Sequence, residues 1–137
     1  MDHAELTRRL KTAFVARLAT LGEDNRPHIV PITFALDGET LYFAIDFKPK
    51  RTTNLKRLRN LAANPAVSVL VDHYESDWDQ LWWVRLDGYA RVVTDGDMTE
   101  RALNLLAQRY KQYRTTRPTG PVVAITIERM TGWSAAV

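Results

Sequence analysis

Two periodicities alternate along this chain. Leu6, Leu10 and Ala13 recur at helical spacing and predict a short helix over 4–13. FVARLAT (14–20) reads as a strand, GEDNRP (22–27) as a polar turn, and HIVPITFAL (28–36) as a strand with apolar positions on both faces. Pro31 cannot donate to a ladder, so this strand belongs at a sheet edge or carries a bulge. Asp37-Gly38 between two apolar runs is a hairpin signal, with TLYFAID (40–46) as the returning strand. Residues 14–46 therefore read as a three-strand meander.

A second helix follows, with Leu55, Leu58, Leu61 and Ala62 on one face and basic residues on the other. Thr52 or Thr53 can cap its start, and Asn64-Pro65 ends it. AVSVLVD (66–72) alternates as a strand, HYESDWD (73–79) is a polar loop, and QLWWVRLDGYARVV (80–93) is one long strand. Asp87-Gly88 within it is read as a bulge, because a hairpin there would leave short arms. Trp82 and Trp83, adjacent on a strand, must then face opposite ways. Asp97 and Glu100 form a capping-box-like pair before a stripe of Met98, Ala102, Leu105, Leu106, Tyr110 and Tyr113, predicting a helix over 97–113. After a loop at 114–121, VVAITIERM (122–130) is the last strand. Parallel units need a crossover after nearly every strand, and here hairpins dominate. The expectation is one domain over 1–137, mainly β, an antiparallel six-stranded barrel with a few helices.

Charge sharpens this picture locally. The chain carries 19 Lys and Arg against 16 Asp and Glu, a net +3. KPKRTTNLKRLRN (48–60) holds six bases and no acid, more than the whole excess. Lys48, Lys50 and Arg51 precede the second helix, where free N–H groups and the helix dipole favour an anion. Thr52, Thr53 and Asn54 add short donors; the plainer reading is a solvated helix face. No aromatic residue is interleaved there to stack bases, which argues against nucleic acid.

Other chemistries fall away. There is no cysteine, hence no disulfide, thiolate catalyst or thiolate metal site. The six glycines match neither a dinucleotide fingerprint nor a phosphate loop, and His3, His28 and His73 lack metal-ligand spacing. No acid, base or nucleophile stands out, so the demanding chemistry of an enzyme built on this chain would belong to a cofactor. The absence of a long apolar run and of a leader-like N-terminus leads to an expectation of a cytoplasmic protein with no membrane partner.

Three blocks in order, ARLATLGEDNRPHIVPITFALDGETLYFAID, KPKRTTNLKRLRNLAANPAVSVLVDHY and DQLWWVRLDGYARVV, resemble the split β-barrel flavin and deazaflavin oxidoreductases, the pyridoxamine 5′-phosphate oxidase-like superfamily. The likeness is strongest to a mycobacterial-type branch of coenzyme F-420-dependent enzymes. The resemblance implies an FMN-binding-type split barrel and a homodimer with cofactor sites between subunits. It implies that Ala19, Thr20, Pro31 and Thr33 lie along the ring system. It implies a phosphate grip from Lys50, Arg51, Thr52 and Asn54, with Lys48 nearby, and Trp83 and Arg85 at the dimer-side wall. Which of Lys50 and Arg51 holds the phosphate stays open. Lys48, Lys56, Arg57 and Arg59 exceed what FMN needs and suit the longer acidic tail of F-420. The expected activity is hydride transfer between F-420 and an unsaturated small-molecule substrate. FMN in the same role, or a non-catalytic carrier of a flavin or haem-like group, are the alternatives.

Overall fold

The computed structural model describes residues 1–45 and 56–135. Helix α1 (His3–Thr12) is capped by Asp2, whose carboxylate accepts from Glu5 N–H at 2.9 Å, and it buries Leu6 and Leu10. The chain continues through β1 (Ala16–Leu21), β2 (Pro27–Ile32), β3 (Ala35–Asp37) and β4 (Thr40–Ala44). Next come helix α2 (Lys56–Ala63), β5 (Ala66–His73), a short 3-10 turn (Trp78–Gln80) and β6 (Trp82–Val93). Helices α3 (Gly96–Arg109) and α4 (Lys111–Thr115) precede β7 (Val122–Ser134).

All pairings are antiparallel, in the order β2-β1-β5-β6-β7-β4-β3. The edge strands β2 and β3 are separated in sequence only by Thr33 and Phe34. Two residues cannot span a flat seven-strand sheet, since strands lie about 4.8 Å apart. The sheet must therefore curl to bring its two edges near each other without pairing them, which makes it a split barrel. The expected six strands become seven because 28–36 breaks at Thr33-Phe34. Pro31 sits on an edge strand, as its missing N–H requires. The Asp37-Gly38 hairpin forms with Gly38 at φ 61°, a left-handed conformation glycine adopts without Cβ strain.

The barrel interior packs Leu18, Phe34, Leu41, Phe43, Val69 and Ile125, all fully buried. Alternation sends Tyr42, Val122 and Ala124 to the opposite face, where Ala102 of α3 covers them. Helix α3 thus shields the outside of the β4–β7 half. The outside of the β2-β1-β5-β6 half carries no helix among the described residues.

The predicted helix over 97–113 is two helices. Tyr110 breaks it, with extended angles of φ −122° and ψ 113°. Its hydroxyl donates to Phe14 O at 2.8 Å and accepts from Phe34 N–H at 3.1 Å, tertiary bonds that outweigh local helical propensity. Burial pushes the Tyr110 phenol upward, with the Phe34 backbone and Arg109 opposing. The cap of α3 is Asp95, which accepts from Asp97 N–H at 2.9 Å; the Asp97–Glu100 pair begins two residues further on, inside the first turn.

Candidate functional site

Along β1, Ala16, Leu18 and Thr20 point into the barrel, while Arg17 and Ala19 point out. Register places Pro31, Arg17, Leu70, Arg85 and Thr131 in one row of the outer face. Ile29, Ala19, Ser68, Asp87 and Arg129 form the next row. Trp83 pairs with Asp72 and Trp133 beyond them.

Trp82 and Trp83 do diverge. Trp82 packs against the core with the Arg9 guanidinium 4.8 Å from its ring centroid. Trp83 lies outside with Arg85, Arg17, Ala19, Ile29 and Tyr74 around a cavity of about 480 Å3. Ile29 is 65% exposed and Tyr74 72% exposed, so the wall is apolar and uncovered.

Asp87 anchors the polar part of this face. Its carboxylate accepts from Ser68 Oγ at 2.6 Å and from Arg129 at 3.1 Å, with Arg85 Nε 3.4 Å away. Burial alone would raise its pKa, but the Ser68 and Arg129 hydrogen bonds and the two guanidinium charges outweigh it, so the net direction is downward. A lowered folded pKa gives stability that is present above the ordinary aspartate range, near 3.9, and lost as pH falls through the folded value. Asp87→Asn is therefore expected to lower the urea midpoint at pH 7 more than at pH 3. An equal penalty at both would contradict a charge role.

Pro31 and Thr33 line a different cavity, of about 320 Å3, with Val15, Ala44, Arg57 and Tyr113. Thr33 Oγ1 and the Tyr113 hydroxyl share a hydrogen bond of 2.7 Å. Arg57 is half-buried and has no hydrogen-bond or ion-pair partner among the described residues. Burial pulls its pKa below the usual arginine value. Sequence reasoning put Arg57 on the solvated helix face. The structure turns it inward, one turn before the buried Asn60 and Leu61. Its 57/60/61 spacing was the available signal. Asn60 Nδ2 donates to Thr20 Oγ1 at 2.9 Å, fastening α2 to β1 and holding Arg57 over this cavity.

The expected site residues therefore divide. Ala19, Trp83 and Arg85 share one cavity, and Pro31 and Thr33 another. The buried Thr20 hydroxyl is taken by Asn60. Lys48, Lys50, Arg51, Thr52 and Asn54 lie outside the described residues. Among the described residues, no group of three His, Asp or Glu side chains is placed to hold a metal.

The architecture is an antiparallel split barrel with a half-buried guanidinium, without a partner among the described residues, beside its edge strand. The family model for pyridoxamine 5′-phosphate oxidase matches residues 3–134, and the chain belongs to that family. It is 32% identical over 123 residues to an F420H(2)-dependent biliverdin reductase of Mycobacterium tuberculosis, covering 90% of this chain and 82% of that one. Among solved structures, a conserved hypothetical protein of M. tuberculosis superposes with a TM-score of 0.82 at 22% identity, covering 98% and 86% of the two chains. A FAD-binding protein of Mesorhizobium loti gives 0.73 at 25% identity, covering 96% and 94%.

Proposed function

We propose that this chain is a coenzyme F-420-dependent oxidoreductase acting on an unsaturated organic small molecule. The observation that carries this reading is Arg57, a half-buried guanidinium without a partner among the described residues, lining a cavity walled by Pro31 and Thr33. A cation that is partly desolvated and left unpaired carries a cost, which an anionic ligand relieves. Coenzyme F-420 supplies a phosphate, an acidic tail and a ring that exchanges hydride. One hydride and one proton would reduce the acceptor by two electrons, oxidising the reduced cofactor equally. Residues of this chain hold and orient: Arg57 for negative charge, Pro31 and the Thr33 hydroxyl for the ring side. Lys48, Lys50, Arg51, Thr52 and Asn54 are proposed to complete the phosphate grip, as the family resemblance implies. The name of the curated mycobacterial relative supports F-420 as the cofactor.

A flavin is a second reading, supported by the FAD-binding protein of similar fold, and the modest 320 Å3 of the cavity around Arg57 favours the smaller FMN. We further propose a homodimer in which a second copy covers the outer face holding Ile29, Trp83 and Trp133, with Ala19 and Arg85 at the subunit boundary. The test of function is oxidation of reduced F-420 by the purified protein across a panel of conjugated acceptors. Acceptor-dependent oxidation supports an enzyme. Tight cofactor binding with no oxidation by any acceptor would favour a non-catalytic carrier.

A further inference from the structure

A second cavity, of about 640 Å3, adjoins the Arg57 cavity and shares Val15, Thr33 and Tyr113 with it. The Thr33–Tyr113 hydrogen bond lies at this common wall. A ligand in one cavity is therefore a direct neighbour of a ligand in the other. The size is that of a multi-ring ligand site. Its walls include three aromatic rings in edge contact: Phe14–Tyr110 at 6.0 Å between centroids and Tyr110–Tyr113 at 5.7 Å. Phe14 is 63% exposed, leaving much of its surface for a further apolar group.

The charges are one-sided. Arg109, Lys111 and Arg114 line this cavity, and no acid does. Arg109 is committed to the fold, donating to Phe34 O at 2.9 Å and to Ala13 O while its guanidinium lies 4.7 Å from the Phe34 ring centroid. Arg114 donates to Ala107 O and Gln108 O at the end of α3. The Lys111 ammonium is exposed and has no partner among the described residues.

We propose that this cavity takes the acceptor, and that the acceptor class is a flat, conjugated molecule bearing a carboxylate, its rings against Phe14 and Tyr113 and its carboxylate at Lys111. The acceptor role rests on the oxidoreductase reading above. The binding site does not, and it is tested without cofactor. Biliverdin, a conjugated dicarboxylate, and its dimethyl ester serve as probes, with binding followed by quenching of tryptophan fluorescence. Lys111→Glu is an exposed change at the start of α4, where an acid suits the helix dipole, so the fold is retained. The expected result is a loss of about tenfold in affinity for the acid, with the ester changed by less than about twofold. Equal losses for acid and ester, or no binding of the acid to the unmutated protein, would overturn the proposal. So would weaker F-420 binding with unchanged biliverdin binding, which would give the cavity to the cofactor tail. Failure of the unmutated protein to bind F-420 while the acid–ester difference holds would remove the oxidoreductase reading and leave the carboxylate site standing.

Discussion

Arg57→Ala is expected to weaken coenzyme F-420 binding by about 30-fold, or about 2 kcal/mol, with little effect on thermal stability. The asymmetry follows from the environment of Arg57. Its guanidinium makes no hydrogen bond or ion pair among the described residues, so folding gains little from it and pays for its partial desolvation. An anion arriving from solvent would find a donor fork already held in place by the Asn60–Thr20 hydrogen bond and the burial of Leu61. Isothermal calorimetry on the variant, beside a melting curve, checks both halves. An unchanged affinity would detach Arg57 from the cofactor. A large fall in melting temperature would recast it as structural. Arg57→Lys should recover only part of the affinity, since an ammonium lacks the planar fork.

Gly88→Ala is expected to destabilise the fold by about 3 kcal/mol or more and to cost expression of soluble protein. A Cβ at Gly88 would stand 2.2 Å from the carbonyl oxygen of Thr126 and 3.1 Å from its carbon. Both are backbone atoms of β7, which cannot move aside as a side-chain end could. The close approach comes from the bulge, where the β6–β7 register shifts between Asp87 and Gly88. Asp87, on the near side of that shift, is paired with Ser68 of β5 and Arg129 of β7. Thermal denaturation of Gly88→Ala beside Gly96→Ala gives the control, since a Cβ at Gly96 meets nothing within 4 Å. Similar melting temperatures for the two would refute the steric account.

These expectations show which parts of the molecule could be read from residues alone. The Asp37-Gly38 hairpin, the Asp87-Gly88 bulge, the edge position of Pro31 and the divergence of Trp82 and Trp83 each depend on local backbone rules and were legible. The breaks were not. Tyr110 ends α3 because its hydroxyl reaches backbone groups of Phe14 and Phe34, distant in sequence, and no helical period reports such a bond. The separation of β2 from β3 at Thr33-Phe34 follows from barrel curvature. Arg57 was grouped with surface bases because the basic run looks uniform along the sequence; its helical spacing to Asn60 and Leu61 was the signal that sets it apart from Lys56, which is exposed, and the docking of α2 through Asn60 makes that spacing count. Arg101 shows the contrasting surface behaviour. It bonds Asp37 at 2.8 Å, and that hydrogen bond holds the Asp37 carboxyl below its ordinary value.

The central claim, an F-420 site at the Arg57 cavity, is tested most directly by titrating the purified protein with coenzyme F-420 and, separately, with FMN, following tryptophan quenching. Tight binding of F-420 and weak binding of FMN are expected. Tight FMN binding with weak F-420 binding would contradict the claim.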